Sequence, residues 1–284
     1  MTENNEWDIV IKPKAKVLNF GLNEIWAYRD LIILFVKRDI IAQYKQTILG
    51  PLWLVIQPVL STIFFTIIFG TFAKFETGGI PYPIFTLSGL TIWNFFASSF
   101  SKTSNVFVSN ASIFGKVYFP RLTVPLSSLI ANFITFFVQL FILIALLLYY
   151  YIVYGYQWQM NWGALILLPL LLLVAGLFGM GLGIIASSLT TKYRDLTFLM
   201  GFILQFVMYF SSVVFPINNF GDKLKFLFNL NPLIHFVDLF RCIFINSPAP
   251  EPFWLLYSTG FVLVSLIFGT LIFSKVEKTF MDTV

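Results

Sequence analysis

Residues 122–191 read LTVPLSSLIANFITFFVQLFILIALLLYYYIVYGYQWQMNWGALILLPLLLLVAGLFGMGLGIIASSLTT. No Asp, Glu, Lys or Arg interrupts this run. A helix of about 20 residues crosses the roughly 30 Å hydrocarbon core of a bilayer. The run is long enough for two such helices, so it predicts a pair of membrane spans joined by a short turn.

The rest of the chain has the same character. Of its 284 residues, 58% are hydrophobic and only 11% are charged, and the mean hydropathy is +0.85. Soluble domains carry about 25% charged residues, because their surface faces water. We therefore predict an all-α integral membrane protein with six transmembrane helices. The predicted spans are about 51–73, 82–101, 122–150, 162–189, 196–215 and 253–274.

The basic residues predict the orientation, because cytoplasmic loops are enriched in Lys and Arg. With the N-terminus in the cytoplasm, 14 of the 18 Lys and Arg residues lie inside and four lie outside. Both termini are then cytoplasmic. The predicted organisation is a cytoplasmic segment 1–50, a six-span permease domain 51–275 and a cytoplasmic tail 276–284.

Two apolar segments are not predicted to span. Residues 28–44 mix apolar with charged side chains, which favours an amphipathic helix lying in the cytoplasmic interface. On the outer side, Asn231-Pro232 divides residues 216–252. Segments 221–229 and 232–245 are each long enough only for a short re-entrant or interfacial helix.

Catalytic chemistry has little support in the sequence. The predicted spans contain no ionisable carboxylate or base, which argues against a carrier driven by protons. The single Cys242 and single His235 make a His/Cys metal cluster improbable, and no phosphate-binding Gly-rich loop ends in Lys-Ser or Lys-Thr. His235, Asp238 and Arg241 recur at one-turn spacing; a local ion pair on a helix explains them better than a catalytic trio. We expect no catalytic residue, metal or cofactor in this chain.

Uncharged polar side chains form stripes on three predicted spans. Such stripes avoid lipid and face either another helix or a wet path, and interhelical bonding is the stronger reading for span three. The stripes are Trp53, Gln57, Ser61 and Phe64 or Phe65 on span one, Ser128, Asn132, Thr135 and Gln139 on span three, and Gln205, Tyr209 and Ser212 on span five.

Small residues recur at four-residue steps in span four, as Gly179, Gly183 and Ser187. They predict close helix packing. Aromatic residues make up 19% of the chain. Their rings would suit a glycan, although most of the Phe side chains are ordinary lipid-facing residues.

Several motifs together resemble one family, the membrane permease subunits of bacterial ABC exporters for polysaccharides such as O-antigen, capsule and teichoic acid. The motifs are YKQTILGPLWLVIQP at 44–58, SGLTIWNFF at 88–96, KVYFPRLTVP at 116–125, Tyr193-Arg194-Asp195, Asn231-Pro232-Leu233 and Arg241. The resemblance covers nearly the whole chain after about residue 23.

The resemblance implies a homodimer with two cytoplasmic ATPase subunits beneath it, which bind ATP and Mg²⁺, and a lipid-linked polysaccharide as cargo in lipopolysaccharide biosynthesis. It implies that helix 28–45 and the inner loop 105–118 contact the ATPase, through Lys37, Arg38, Tyr44, Asn110, Phe114, Lys116 and Tyr118. Spans one and five would wall the translocation path, with Trp53, Gln57, Ser61, Phe64, Phe65, Gln205, Tyr209 and Ser212 as candidates. Segment 216–245 would form an outer gate that includes Asn231, Pro232, His235, Asp238 and Arg241.

Three alternatives remain open at this point. An ABC permease for a drug, antibiotic or small lipid shares the six-span layout, but is expected to lack the Leu-Gly-Pro-Leu-Trp and Phe-Pro-Arg elements. A membrane-embedded glycan polymerase needs an acidic or basic cluster at the membrane surface, which only His235, Asp238 and Arg241 approach. A passive channel or scaffold would work with an ATPase-dead partner.

Overall fold

The structure is a computed structural model that describes residues 22–45, 47–114, 116–117, 119–193, 195–217 and 220–283. Within those ranges the backbone forms helices and turns and no β-strand. The helices are α1 (Leu22–Ala27), α2 (Arg29–Tyr44), α3 (Trp53–Phe65), α4 (Tyr82–Ser104), α5 (Val106–Ser109), α6 (Ala111–Phe114), α7 (Thr123–Tyr154), α8 (Trp162–Leu165), α9 (Leu168–Lys192), α10 (Leu196–Tyr209), α11 (Asp222–Asn229), α12 (Pro232–Ile245) and α13 (Pro252–Thr283).

Four helical segments of the described residues are long and apolar enough to cross a membrane. They are Gly50–Phe72, which joins a short 3₁₀ turn, α3 and a π-helical end, and Thr123–Tyr154, Leu168–Lys192 and Pro252–Phe273. They coincide with predicted spans one, three, four and six. A fifth span is counted if α11 and α12, which meet at 93°, form one broken span. The prediction of an all-helical, multi-span membrane protein is confirmed at this level.

The helix of predicted span five is shorter than 196–215. α10 has 14 residues and ends at Tyr209. Ser211 then bonds back to the carbonyl of Val207, and Ser212 has a left-handed φ of 56°. A left-handed residue ends a helix, whereas the bond from Ser211 to the preceding turn at most bends one. The predicted end at residue 215 lies beyond the helix because residues 210–215 are uncharged. Lack of charge does not distinguish a buried turn from a helix.

Predicted span four is broken near its start. A short α8 ends at Leu165, and α9 begins at Leu168 with Pro169 in its first turn. Proline lacks an N–H donor and its ring clashes with the carbonyl four residues earlier, here that of Leu165. The helical backbone of predicted span four, 162–189, is therefore interrupted at residues 166–167.

Helix α4 lies at the centre of the bundle and packs on α9, α7, α12 and α3. It is 23 residues long and most of its side chains are buried, including hydroxyls that bond to its own carbonyls at Ser88, Thr91 and Ser99. Because of these polar side chains, α4 is not among the four segments that are apolar enough to cross a membrane by composition. It also runs past the predicted end at residue 101 to Ser104, so Lys102 lies within the helix.

Helix α2 packs against α7 at the end of the bundle where α4 ends and α7 begins. Its Ile32 and Phe35 are buried, whereas Ile33, Leu34 and Ile41 are exposed. A second aromatic cluster lies here, apart from the main core. It consists of Phe35, Val106, Phe107, Phe114, Phe119, Val124, Ile184 and Phe273.

Candidate functional site

A polar cavity of about 520 Å³ lies between α3, α4 and α7. One face of each helix supplies its walls, and Gln43 of α2 and Gly50 close one end. The lining residues are Gln43, Gly50, Trp53, Leu54, Gln57, Pro58, Ser61, Asn94, Ala97, Ser98, Ser101, Lys102, Thr135 and Gln139. Trp53, Gln57 and Ser61 of the predicted span-one stripe and Thr135 and Gln139 of the span-three stripe thus line one cavity within a single chain.

Hydrogen bonds between α4 and α7 hold the cavity wall in place. Asn94 donates to Gln139 at 3.2 Å, and Asn132 donates to the hydroxyl of Ser99 at 3.1 Å. The ammonium of Lys102 donates to Asn132 Oδ1 at 2.8 Å. Most of the span-three stripe therefore serves interhelical bonding, which buried amides require in a medium that offers no water.

The eight path candidates do not come together in one chain. Trp53, Gln57 and Ser61 line the cavity. Phe64 is exposed on the outer side of α3, whereas Phe65 is buried in the main core. The three candidates of span five lie elsewhere: Gln205 is exposed on α10, Tyr209 is half-buried at its end, and Ser212 accepts a hydrogen bond from Arg241 at 3.2 Å.

The outer-gate candidates lie on and beside α12. Asn231 caps this helix by accepting from the Leu233 amide, and its own amide donates to Phe210 O and to Ser211 Oγ. An asparagine cap satisfies backbone donors that the first turn leaves free. Pro232 follows at the first helical position, where proline fits. The cap thus ties α12 to the turn after α10.

Arg241 fixes α12 to the centre of the bundle. Its guanidinium lies 3.6 Å from the Phe85 ring centroid and donates to the carbonyls of Phe85 and Val213 at 3.0 and 3.3 Å. It also pairs with Asp238 at 3.5 Å. Gly89 makes room for it, because a Cβ there would lie 2.7 Å from the guanidinium. His235 is separately engaged, since it bonds to Asn229 O and stacks on Trp254.

The coupling candidates divide into buried and exposed residues. Arg38 of α2 donates to Asn110 Oδ1 at 3.2 Å and pairs with Asp39 at 2.7 Å. Asp39 in turn accepts from Ser128 of α7 at 3.3 Å.

The remaining coupling candidates differ in exposure. Phe114 is buried in the second aromatic cluster. Lys37 and Lys116 are exposed. The side chain of Tyr44 and the whole of Tyr118 lie outside the described residues.

Comparison with known proteins identifies the family. The family description "ABC-2 type transporter" matches residues 30–245, which include nearly all of α2, the residues that line the cavity, and helices α11 and α12. The chain belongs to the ABC-2 type transporter family. This finding confirms the resemblance drawn from the motifs.

Relatives of this ABC-2 chain cover almost all of it. The O-antigen export system permease protein RfbA of Klebsiella pneumoniae is 29% identical over 255 residues, which are 89% of this chain and 94% of that protein. The protein of the same name from Myxococcus xanthus is 25% identical over 266 residues, 93% of this chain and 98% of its own length. The polysialic acid transport protein KpsM of Escherichia coli is 23% identical over 254 residues, 87% and 93% of the two chains.

The three span-four residues of this ABC-2 chain lie where α9 meets α4. A Cβ on Gly179 would lie 2.5 Å from the Phe96 carbonyl oxygen, and one on Gly183 would lie 2.8 Å from that of Phe100. Ser187 is buried and bonds to its own helix at Ile184 O. Gly179 and Gly183 therefore leave room for the backbone of α4.

Lys102 is the functional candidate that the motif analysis missed. The predicted span two ends at the last uncharged residue, 101, which leaves Lys102 outside it. A helical signal was present: Asn94, Ser98, Ser101 and Lys102 follow i, i+4, i+7, i+8 spacing, which places them on one face. Extending the helix by three residues brings the ammonium into the polar cavity.

Proposed function

We propose that this chain is the channel-forming subunit of an ATP-driven exporter that moves a lipid-linked, O-antigen-like polysaccharide from the cytoplasm across the bacterial inner membrane. One observation carries the proposal. Relatives named as O-antigen, polysialic acid and capsule export proteins align over 87–93% of the chain. A partial match to one helix pair would indicate shared architecture; a match through α2, the inner loop and the outer helices supports a shared task.

In this proposal the chain crosses the membrane six times. Helix α4 joins the four strongly apolar segments as span two, and the 14-residue α10 together with the turn that follows it forms span five. Helices α11 and α12 lie between spans five and six at the outer surface. The distribution of Lys and Arg supports cytoplasmic termini. Helix α2 then lies in the cytoplasmic interface, and its exposed Ile33, Leu34 and Ile41 support this place, because they would meet lipid rather than water.

Energy would come from a separate subunit. Two copies of a cytoplasmic ATPase, with ATP and Mg²⁺, would dock beneath two copies of this chain. The inner loop between α4 and α7 presents Val108, Lys116 and Val117 on its exposed side, while Phe107 and Phe114 anchor it to α2, α9 and α13 through the second aromatic cluster. A loop with a packed inner side and an exposed outer side moves as a unit when it is pushed.

The competing functions have less support. A permease for small drugs or lipids shares the layout, but the named polysaccharide exporters match across the chain. For a polymerase, the trio of His235, Asp238 and Arg241 is the relevant test. Arg241 is 2% exposed and His235 is 3% exposed, and both are held by partners of their own. Such groups are poorly placed to transfer protons to a water-borne substrate.

The test is export in a strain that lacks this chain. We expect surface polysaccharide to disappear, lipid-linked glycan to accumulate on the cytoplasmic side, and the intact chain to restore export only together with a hydrolysis-competent ATPase. Restoration by an ATPase-dead partner would favour a passive channel. Loss of glycan polymerisation, with short lipid-linked units accumulating instead, would favour a polymerase.

A further inference from the structure

Lys102 places a positive charge inside the bundle beside a cavity. Its ammonium lines the cavity and uses one hydrogen bond, to Asn132 Oδ1 at 2.8 Å. In the described part of the chain it forms no salt bridge; Arg38, the cation of the neighbouring helix α2, is paired with Asp39. An ammonium has three donors, so this side chain has hydrogen-bonding capacity left for a ligand.

Lys102 is half-buried, and the nearby carboxylate of Asp39, which Arg38 already pairs, offsets only part of the cost of placing its charge inside a membrane bundle. Charged side chains inside membrane bundles are rare, and they face cavities, partners or transported groups. Here the remaining cavity wall is neutral and rich in donors, with Gln57, Asn94 and Ser98 facing the same space as Lys102. The volume, about 520 Å³, falls in the roughly 300–1,000 Å³ range of small-ligand sites.

The geometry indicates what kind of anion would fit. A phosphoryl group has several oxygens that accept hydrogen bonds from an ammonium, amides and hydroxyls at once, and lysine is a common phosphate-binding residue. The cavity also opens beside lipid-facing surface. Trp53 lines it and is 47% exposed, and Leu52 and Leu60 of the same segment are exposed outside it. An anion attached to an apolar chain would fit both surfaces.

We infer that the cavity between α3, α4 and α7 binds the phosphoryl headgroup of a membrane lipid, with Lys102 as its counter-charge. This inference deepens the proposed function, on which it rests for the identity of the lipid as the carrier of the exported glycan. In this arrangement Trp53, Gln57 and Ser61 belong to a headgroup site within one chain. The sugar would then extend from a fixed point near the cytoplasmic end of α4.

The binding experiment uses the purified full-length chain in nanodiscs of phosphatidylcholine. The probes are a polyprenyl diphosphate, phosphatidylglycerol and inorganic pyrophosphate, each titrated and followed by native mass spectrometry. We expect Lys102→Gln to weaken lipid binding by about tenfold or more, the effect of losing one charge-assisted hydrogen bond. Lys102→Arg should recover most of the affinity.

Two further variants separate the site from general effects of charge and folding. Lys192→Gln removes the same charge from an exposed position at the end of α9, on the side of the bundle where α4 ends, and should leave binding unchanged. Gln57→Leu alters the opposite cavity wall without touching the Lys102–Asn132 bond, and should weaken binding several-fold. It keeps the test valid if Lys102→Gln misfolds.

The outcomes identify the source of the phosphoryl group. Tighter binding of polyprenyl diphosphate than of phosphatidylglycerol assigns the site to the glycan carrier, and equal binding assigns it to anionic phospholipid. Pyrophosphate binding as tightly as either lipid would overturn the lipid assignment. Unchanged lipid affinity in both Lys102→Gln and Gln57→Leu would overturn the site itself.

The export assay separates this inference from the proposed function. If the chain exports glycan but these substitutions leave its lipid affinity unchanged, only this inference is refuted. If it binds the lipid without exporting glycan, the proposed function is refuted.

Discussion

Arg241 is the largest of the fully buried side chains in the described structure. It joins three parts of the molecule, because α12 carries it, Phe85 and Ser88 belong to α4, and Ser212 and Val213 belong to the turn after α10. The carbonyl of Val214 in the same turn accepts a hydrogen bond from Tyr82. One guanidinium thus adds a donor to the Phe85 carbonyl of α4, which also accepts from Ser88, and pairs the Val213 carbonyl of the turn.

Replacing Arg241 with Met should destabilise the protein by about 3–5 kcal/mol, the usual cost of removing one member of a buried, bonded charge pair. Asp238 and the carbonyl of Val213 would each lose a donor, and the carbonyl of Phe85 would keep only its partners within α4. The measurement is the free energy of unfolding in detergent, from denaturant titration followed by circular dichroism.

The matched control is Lys225→Met on α11, which removes one positive charge from an exposed site in the same outer region. Its effect should stay within about 0.5 kcal/mol. Arg241→Lys should fall between the two, because lysine keeps the charge but not the planar fork of donors. Equal stabilities for Arg241→Met and Lys225→Met would show that the buried network contributes nothing.

Sequence reasoning located Arg241 but not its role. The spacing His235, Asp238, Arg241 predicted a local ion pair, and the pair with Asp238 is present. Its stronger contacts are with Phe85 and Val213, 156 and 28 positions away. A pattern within one helix carries no information on such contacts. For Lys102 the spacing from Asn94 did predict its helix face, but the predicted end of span two at residue 101 left it outside the helix.

At the scale of helices, the contact between α9 and α4 depends on missing side chains. We expect Gly179→Ala to destabilise the protein by about 1–3 kcal/mol, the usual cost of overpacking a filled interface. The added methyl would lie 2.5 Å from the Phe96 carbonyl oxygen and 2.9 Å from Ser99 Cβ. Because Phe96 O is backbone, relief requires the helices to separate. The thermal midpoint in detergent, followed by circular dichroism, measures the effect.

Gly201→Ala is the control for helix propensity. Gly201 lies within α10, and a Cβ there would meet nothing within 4 Å. Alanine is favoured over glycine inside a helix by roughly 0.5–1 kcal/mol, so this variant should be neutral or slightly stabilised. If both substitutions shifted the midpoint in the same direction by the same amount, propensity rather than packing would explain the result.

The sequence predicted helix positions well where the apolar length needed to cross lipid alone determines them. Long charge-free runs predicted the helices of spans one, three and six to within a few residues, because burial in lipid requires apolar length. They gave the right start but the wrong end for α10 and the wrong start for α9, where Ser212 and Pro169 act on the backbone. The two short outer helices were predicted by Asn231-Pro232, since an N-cap followed by proline marks a helix start.

At the scale of the whole molecule, one chain leaves two apolar surfaces exposed, one on α10 and one on α3. Every described residue of α10 is at least partly exposed, and Phe198, Phe202 and Phe206 are exposed on it. On α3, Leu60, Ile63 and Phe64 are exposed as well. Lipid would cover such surfaces, and so would a second copy. The proposed function requires the second copy, because the path candidates of spans one and five do not meet within one chain.

Spin labels distinguish these two coverings. In a background where the buried Cys242 is replaced with Ser, a label at Phe202→Cys on α10 should give a short, narrow distance between the two chains of a dimer. A label at Phe141→Cys on α7 should give a longer and broader one. Both positions are exposed Phe residues, at 63% and 72%, so labelling efficiency and helix environment are matched. The measurement is double electron–electron resonance on the full-length chain in nanodiscs.

The physical reason for the difference is symmetry. A two-fold dimer brings the same surface of each copy together, so labels on that surface approach each other while labels on the opposite side separate. If α10 forms the shared surface, lipid-soluble oxygen should also relax the Phe202 label less than the Phe141 label, because protein covers the former. A shorter distance at Phe141 than at Phe202, or dipolar coupling at neither, would contradict a dimer built on α10 and would leave its aromatic residues facing lipid.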